Sequence, residues 1–255
     1  MLFGLVGRKF KVDVAFASEC GLVRKENQDH VVADPKALVF CVADGMGGGE
    51  AGGEASDIVC RNVSAVLHDY ASFADRVRLV DDAIHRADGE IRAISAAAGY
   101  RQMGSTAAVL VSDGRRIAAV GNVGDSRVYR LRDGGLVQLT RDHTIVRELN
   151  LQTAGRAVAA GLRDRSLAIS HMLTRALGVQ EEAAPEWRRI DVRRDDVFLV
   201  CTDGLYDAAS EADIRGALAA GGAAKEIAAR LARLAVAGGA GDNYSLVVVK
   251  IGGRR

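Results

Sequence analysis

The sequence predicts an α+β fold in which two antiparallel β-sheets pack as a sandwich between pairs of α-helices. Short apolar segments rich in β-branched residues are grouped in the middle and at the two ends of the chain, which is typical of buried strands. Segments with the period of amphipathic helices occur as adjacent pairs between those groups. The regular alternation of strand and helix that a parallel sheet requires is not present. A four-layer order of helices, sheet, sheet and helices uses every predicted element.

The N-terminal part of the chain is predicted to form three strands followed by two helices. Strands are predicted at 10–17, 30–32 and 37–43. The last two would form a hairpin, because Asp34-Pro35-Lys36 between them has the composition of a turn. Apolar residues recur at three- and four-residue steps in 51–70 and 74–98, so both segments are predicted to be helices with one apolar face.

The rest of the chain changes to strand periodicity and then back to helices. Strands are predicted at 106–111, 116–120, 126–131, 136–139, 197–202 and 245–251. Helices are predicted at 142–151, 211–220 and 223–236, and the stretch that ends at residue 170 has no clear period. Ser210 is expected to be an N-cap, because Glu211 and Asp213 follow it in the first helical turn, where acidic side chains are favourable.

Length, charge and composition indicate one soluble domain that spans residues 1–255. The chain has two prolines and no segment with the composition of a linker. A formal net charge of +1, with both signs interspersed, argues against nucleic acid or an anionic membrane as the main partner. No apolar run reaches the length of a membrane span, and the four cysteines lack a C-x-x-C spacing, as is typical of buried thiols in a reducing compartment. We expect a cytoplasmic monomer.

Three short acidic motifs adjoin the most apolar predicted strands. Asp44-Gly45-Met46 follows segment 39–43, Asp203-Gly204-Leu205 follows segment 197–202, and Gly241-Asp242-Asn243 precedes the last strand. A carboxylate at the end of a buried strand is firmly held but still reaches solvent. Several such carboxylates repel one another unless cations lie between them. The motifs therefore predict a metal site at one rim of the sandwich, and metal-assisted chemistry on phosphate is its first use to consider.

The glycine run at 45–53 also has to be compared with nucleotide-binding loops. A P-loop ends in Gly-Lys-Ser/Thr, and 47–53 contains no lysine. A dinucleotide fingerprint needs a βαβ unit, which the pattern does not provide. Glycines directly after Asp44 are better explained by a close approach of the backbone to a metal, with a carbonyl oxygen as ligand. A plain strand-to-helix turn remains an alternative for 47–53, but it does not explain Asp44.

Eight motifs resemble those of the metal-dependent protein phosphatase family, the type 2C serine/threonine phosphatases, in its compact bacterial form. In order along the chain they are Gly21-Leu22-Val23-Arg24 with Asn27-Gln28-Asp29, Asp44-Gly45-Met46-Gly47-Gly48, Gly104-Ser105-Thr106, Val123-Gly124-Asp125-Ser126-Arg127, Leu139-Thr140-Arg141-Asp142-His143-Thr144, Leu173-Thr174-Arg175-Ala176-Leu177-Gly178, Thr202-Asp203-Gly204-Leu205 and Asp242-Asn243. One such motif would be weak evidence, whereas eight in order over almost the whole chain make the resemblance specific.

The resemblance implies a β-sandwich with two Mn²⁺ or Mg²⁺ ions at one edge. Asp44 would bridge both ions and the Gly45 carbonyl would bind one, while Asp203 and Asp242 would hold the other. Oxygen ligands favour magnesium or manganese over zinc. Asp125, together with Asp203, would hold a third and weaker ion, although Gly124-Asp125 can also be a simple turn before a strand.

The resemblance also assigns roles to residues around the ions. Arg24 would bind the substrate phosphate with its planar fork of donors, and Asp29 would orient metal-bound water from the second shell. Gln28 and Asn243 would belong to the same shell, where Asn243 would be structural and support the metal loops. Gln28 stands where other members carry Glu. Met46 stands where many eukaryotic members carry a histidine that is a candidate general acid, so a water molecule would have to protonate the leaving group.

The function implied is hydrolysis of phosphoserine and phosphothreonine on proteins by direct attack of a hydroxide that bridges two divalent ions. The partner would be a phosphorylated protein, in opposition to a serine/threonine kinase. A basic flap at about 144–170 would lie beside the site, and its arginines are Arg147, Arg156, Arg163 and Arg165. The alternatives are a catalytically weak or silent phosphoprotein-binding regulator on the same fold and a hydrolase of a small phosphorylated metabolite.

Overall fold

The computed structural model of the chain describes residues 10–47, 50–68, 72–100, 102–152, 172–179 and 183–254. The predicted flap at 144–170 lies outside the described residues from 153 onward, and so do Arg156, Arg163 and Arg165. None of the helices in these ranges has both the length and the apolar character needed to cross a membrane.

The described residues form eleven strands and six helices. The strands are β1 Phe10–Glu19, β2 Asp29–Asp34, β3 Val39–Met46, β4 Gly104–Ser105, β5 Ala107–Ser112, β6 Ile117–Val123, β7 Arg127–Arg132, β8 Gly135–Gln138, β9 Glu186–Asp191, β10 Val197–Cys201 and β11 Tyr244–Arg254. The helices are α1 Glu50–Ala65, α2 Phe73–Ala98, α3 Ile145–Gln152, α4 Asp203–Ala208, α5 Glu211–Ala219 and α6 Ala224–Ala237.

Two antiparallel sheets are built from these strands, as the sequence predicts. The first has the order β1-β11-β10-β7-β8, and the second has the order β2-β3-β5-β6-β9 with β4 paired to β3. Because β10 and β11 run antiparallel, the end of β10 and the start of β11 meet at the same rim. The hairpin of β2 and β3 brings Asp29 directly opposite Asp44 at that end of the second sheet. Strand register thus collects the acidic motifs.

Three apolar layers hold the sheets and helices together. Phe40 and Phe198 are completely or almost completely buried between the two sheets. Ile58 and Ile84 carry the apolar faces of α1 and α2 onto the outer side of the second sheet, and Leu231 of α6 belongs to the layer outside the first sheet. Each such side chain contributes about 1.5–3 kcal/mol on burial. The predicted order of helices, sheet, sheet and helices is therefore confirmed.

Three described elements were not predicted from the sequence: the two-residue strand β4, strand β9 and helix α4. Strand β9 was not expected, because Glu186–Asp191 contains three charged residues besides its terminal Asp and lacks a clear apolar alternation. It pairs with β6 as the last strand of its sheet, a position where polar residues are tolerated. Helix α4 was also missed, since six residues are too few for a helical period to be read.

Candidate metal centre

A cavity of about 480 Å³ opens at the rim where the acidic motifs meet. Its lining includes almost every residue that the sequence singled out: Arg24, Gln28, Asp44, Gly45, Met46, Asp125, Asp203, Asp242 and Asn243. Asp29 does not line it, because this side chain is buried directly behind Asp44 in the neighbouring strand. The structure therefore brings the predicted residues together.

The main chain of Asp44 is fixed by Thr106 at the start of β5. Its N–H donates to Thr106 Oγ1 (3.0 Å), and the Thr106 N–H donates to the Asp44 carbonyl oxygen (2.9 Å). Burial raises the pKa of the Asp44 carboxyl well above its ordinary value, and the charges of Asp203, Asp29, Asp125 and Asp242 raise it further. Five carboxylates therefore share one electrostatic field, which is unfavourable without cations.

Asp29 is held from the opposite sheet. Its Oδ2 accepts a hydrogen bond from Thr202 Oγ1 (2.8 Å), whereas its buried Oδ1 has no hydrogen-bond partner within the described ranges. Burial is the largest cause that raises the pKa of Asp29 to about 7, and the charges of Asp203 and Asp242 add to it. A buried carboxylate oxygen with no donor is suited to a water molecule or ion at the site.

Gly45 has a packing role besides the ligand role that the sequence suggested. A Cβ at this position would lie 1.9 Å from the Gly52 carbonyl oxygen of α1 and 2.8 Å from the Gln28 carbonyl oxygen. The Gly45 N–H also donates to that Gln28 oxygen (3.1 Å). Only glycine lets the end of β3 lie this close to both segments.

Asp203 begins α4, and its neighbours explain why this short helix lies at the cavity. Thr202 occupies the N-cap position, but its hydroxyl makes no capping bond, since it donates to Asp29 instead. A Cβ on Gly204 would lie 2.0 Å from the Asn243 carbonyl oxygen, so glycine allows α4 to approach the loop that carries Asp242. Asp203 and Asp242 thereby lie on the same wall of the cavity.

Asn243 joins the Asp242 loop to the loop that carries Arg24. Its Nδ2 donates to the carbonyl oxygens of Cys20 and Glu26 (2.8 Å each), and its Oδ1 accepts from the Gln28 N–H (2.9 Å). Its own N–H donates to Asp242 Oδ1 (2.8 Å). Asn243 therefore positions Asp242 through the backbone, consistent with the supporting role expected from the sequence.

Arg24 contacts a predicted metal ligand. Its Nη2 donates to Asp242 Oδ2 at 2.7 Å, and its side chain is 54 % exposed. An ion pair this exposed contributes only about 0–1 kcal/mol. The guanidinium can therefore leave Asp242 for a stronger anionic partner in the cavity.

Asp125 lies in a network that sequence analysis did not anticipate. The Tyr206 hydroxyl donates to the Asp125 carbonyl oxygen (3.1 Å), and burial raises the pKa of Tyr206, which keeps the donor protonated. Arg127 stacks 3.5 Å from the centre of the Tyr206 ring and pairs with Asp142 through two nitrogens, with Nη2–Oδ2 at 2.7 Å. Burial and the charge of Asp203 raise the pKa of Asp125 to about 8. Tyr206 is on α4 with Asp203, so this network couples two carboxylates of the site.

Replacing Arg127 by Ala is expected to lower the free energy of unfolding by about 2–3 kcal/mol, because the partly buried Asp142 loses its main cationic partner. Urea denaturation measures the change. The matched control is Arg61→Ala, which breaks an exposed pair with Asp57 and is expected to cost less than about 1 kcal/mol. If both variants lose the same amount, the Arg127 network does not support the site.

The carboxylates do not form a closed ligand shell. Within the described ranges, no three acidic, histidine or cysteine side chains are close enough together to hold an ion as they stand. The same side chains are near enough to raise one another's pKa, and Asp29 Oδ1 lacks a donor. Metal-free carboxylates repel one another and stay apart, whereas bound cations would draw them together. The oxygen-rich set fits hard divalent cations.

Thr202 and Tyr206 are the supporting residues that sequence reasoning did not identify. Sequence analysis placed Thr202 at the end of a predicted strand, and no local pattern indicates its bond to Asp29, which lies 173 positions away. Tyr206 lies three residues after Asp203 on α4, a spacing that places both side chains on the same side of a helix. That spacing is informative only if residues 203–208 are known to form a helix, and this helix was not predicted.

Comparison with known proteins identifies the family of the chain. A model of the protein phosphatase 2C family matches residues 23–235. The chain is 36 % identical to the serine/threonine protein phosphatase PstP of Mycobacterium tuberculosis over 244 residues, which are 93 % of this chain but 44 % of PstP. It therefore spans less than half of that relative. It is 27 % identical to the protein phosphatase PhpP of Streptococcus pneumoniae, with 94 % and 98 % of the two chains covered.

Solved structures give the same result. PppA, described as a key regulatory component of T6SS in Pseudomonas aeruginosa, superposes with a TM-score of 0.84 at 30 % identity, covering 94 % of this chain and 97 % of PppA. The catalytic domain of PstP in complex with two manganese ions has a TM-score of 0.81 at 31 % identity, covering 95 % and 100 %. With its two-sheet sandwich, its acidic rim and a family match over most of its length, this chain belongs to the protein phosphatase 2C family, the metal-dependent protein phosphatases.

Proposed function

We propose that this chain is a metal-dependent phosphatase that hydrolyses phosphoserine and phosphothreonine on proteins, with water as the nucleophile and no covalent phosphoenzyme. The observation that carries the proposal is the convergence of four carboxylates and Arg24 on one open cavity, with the fifth carboxylate, Asp29, buried beside Asp44. The relatives named above are phosphatases, and the catalytic domain of PstP was solved with two manganese ions. Both facts support the proposal. We further propose that 1–255 act as one catalytic domain, that its flap lies at about 144–170, and that it opposes a serine/threonine kinase.

Two Mn²⁺ or Mg²⁺ ions are the cofactors that the carboxylates fit. Asp44 and the Gly45 carbonyl would hold one ion, and Asp203 and Asp242 would hold the other with Asp44 shared between them. Asp125 would contribute to a third ion. When bound, the ions would lower the pKa of a water molecule and neutralise charge on the phosphate. Asp29, held by Thr202, would accept a proton or hydrogen bond from that water through its free Oδ1.

Arg24 would bind the phosphate oxygens. It lines the cavity, and its exposed pair with Asp242 is weak enough to exchange for a phosphate dianion, which a guanidinium binds through two parallel hydrogen bonds. If Asp242 held an ion, Arg24 would lose this partner and could bind the substrate phosphate. The two events would therefore favour each other.

Protonation of the leaving alkoxide would come from water. Met46 lines the cavity and has no proton to donate, and none of the cavity-lining residues in the described ranges is a histidine. Solvent reaches the cavity mouth, so a water molecule can deliver the proton at a lower rate than a fixed acid would. We therefore expect that the pH dependence of the phosphatase rate does not show a bell shape set by the pKa of a histidine.

The test is release of phosphate from a phosphothreonine peptide by chelated protein into which Mn²⁺ or Mg²⁺ is titrated. Turnover is expected to depend on the ion and to fall at least about 100-fold in Asp203→Asn, because even outer partners of metal ligands are worth 10–100-fold. The control is Asp195→Asn, the same change at an exposed turn near the opposite ends of the strands, which should retain full activity. Metal binding without turnover in the folded wild type would instead favour a silent phosphoprotein-binding module.

A further inference from the structure

We propose that the mouth of the cavity binds aliphatic side chains next to the phosphorylated residue, so that the preferred substrates are phosphoproteins with apolar residues flanking the phosphoserine or phosphothreonine. This inference rests on the proposed phosphatase activity and adds a substrate class to it. We define the apolar mouth as Leu22, Val23, Met172 and Val179.

Half of the exposed large apolar side chains lie on segments that border the cavity. Eight large apolar side chains are exposed within the described ranges, and four of them form the apolar mouth. Met172 (50 % exposed) and Val179 (44 %) line the cavity, and Leu22 (67 %) and Val23 (71 %) directly precede Arg24, which also lines it. Isolated exposed apolar residues are ordinary, whereas a group around a binding cavity marks a contact surface.

The loop that carries Leu22 and Val23 is held firmly. Gly21 has φ +77, and a Cβ there would lie 2.3 Å from the Asp242 carbonyl oxygen. The Leu22 N–H donates to the Ala240 carbonyl oxygen (2.9 Å), and Asn243 bonds the backbone on both sides of this loop. The two side chains are therefore presented to solvent by a fixed backbone, which reduces the entropy lost when they bind a partner.

The other side of the mouth is held by β4 and α3. Ser105 and Leu177 exchange backbone hydrogen bonds (3.0 and 2.9 Å), and the Ile145 N–H donates to the Met172 carbonyl oxygen (3.0 Å). A Cβ added to Gly104 would lie 2.7 Å from Val179 Cγ2, so the valine packs closely over that glycine. Apolar groups thus stand at fixed positions on two different segments of the mouth.

The mouth offers no polar partner to acidic flanking residues. Asp44, Asp125, Asp203 and Asp242 line the cavity, and Arg24 is the one basic side chain among its described lining residues. With divalent ions bound, these carboxylates are neutralised and Arg24 is engaged by the phosphate, so a substrate carboxylate at the mouth would meet an apolar rim that cannot donate a hydrogen bond to it. An aliphatic side chain would instead remove apolar surface from water on both partners.

The experiment compares three phosphothreonine peptides that differ only in the residue before and the residue after the phosphothreonine. Both flanking residues are Leu in the first peptide, Ser in the second and Asp in the third. For the manganese-loaded wild type, kcat/KM is expected to be about tenfold higher for the Leu-flanked than for the Asp-flanked peptide, since a modest apolar contact in a site gives discrimination of this order. The Leu22→Ser/Val23→Ser double variant is expected to bring the ratio close to 1. The control, Val137→Ser/Val236→Ser, changes two other exposed apolar residues, on β8 (48 % exposed) and α6 (45 % exposed), and should keep the ratio.

Two readouts separate failure of this inference from failure of the proposed activity. Hydrolysis of a small aryl phosphate by the wild type reports the activity itself without flanking residues. Binding of non-hydrolysable phosphonate analogues of the same peptides to the manganese-loaded wild type, followed by fluorescence anisotropy, reports the mouth without turnover. Tighter binding of the Leu-flanked peptide supports the proposal even where no turnover occurs. Equal rates and equal affinities for the three peptides, or a preference that survives in the Leu22/Val23 variant, would overturn it.

Discussion

Replacing Asp44 by Asn is expected to have two opposite effects: loss of phosphatase activity by at least about 100-fold and a gain in stability of the metal-free protein. The activity falls because Asp44 is the proposed ligand shared by both ions, and an amide carries no negative charge to hold them. The backbone should not change, since Thr106 bonds the main chain of residue 44 and not its side chain.

Stability rises for an electrostatic reason. In the metal-free fold the pKa of Asp44 is raised by burial and by the charges of its four acidic neighbours. When the pKa of a carboxyl is higher in the folded than in the unfolded state, the free energy of unfolding falls as the pH rises from the unfolded pKa to the folded pKa. The loss is about 1.4 kcal/mol for each pH unit in that range. Asparagine does not titrate. At pH 7 the variant should therefore unfold at a higher temperature than the chelated wild type.

Thermal unfolding with and without Mn²⁺, together with peptide turnover, measures both effects. The control is Asp34→Asn at the other end of β2, where the side chain accepts bonds from the N–H groups of Lys36 and Ala37 and asparagine can do the same. It should change neither quantity appreciably. An Asp44→Asn protein that is less stable than the chelated wild type would show that the buried carboxylate is already compensated by groups of the fold.

The fold and the composition of the site followed from local sequence, because each depends on short patterns. Apolar runs that end in Asp44 and Asp203 predicted buried strands with carboxylates at one rim, and the cavity contains both. The N-cap at Ser210 was likewise correct, since its hydroxyl accepts from the Asp213 N–H. Such features involve residues a few positions apart, where sequence spacing fixes geometry.

The supporting contacts could not be predicted, because they depend on register between distant segments. Thr202 reaches Asp29 across 173 positions, and Asn243 bonds the Cys20 carbonyl across 223. Each of these polar residues has an ordinary local explanation as a cap or turn residue. Only the packing of the two sheets determines which explanation applies. The pairing of Arg24 with Asp242 belongs to the same class, since both residues were predicted to face phosphate or metal and not each other.

Removal of divalent ions is expected to lower the unfolding temperature by an amount that grows as the pH rises from about 5 to about 8. Burial and neighbouring charge raise the folded pKa of Asp29 to about 7 and that of Asp125 to about 8, both from 3.8. A carboxyl with a raised folded pKa stabilises the fold fully at pH values below its unfolded pKa of about 4. That stabilisation is lost as the pH rises through the folded pKa. The chelated protein should therefore weaken towards pH 8.

Bound ions reverse this trend, because they favour the ionised carboxylates. Ions that bind only the folded state stabilise it by about 2.7 kcal/mol at 100 times their dissociation constant, and protons compete with them less as the pH rises. Unfolding is measured at pH 5, 6, 7 and 8 with excess Mn²⁺ and with chelator, and the difference in Tm is compared. Groups such as His30, which lies outside the cavity lining, titrate in both samples and cancel in that difference.

Asp125→Asn provides the decisive comparison for this pH dependence. It removes the group with the pKa of about 8, so the chelated variant should lose less stability between pH 7 and 8 than the chelated wild type does. The Tyr206 bond is to the backbone of residue 125 and should persist. A Tm difference that stays constant from pH 5 to 8 in the wild type would mean that the ions do not compete with protons for these carboxylates, and the metal centre would have to lie elsewhere.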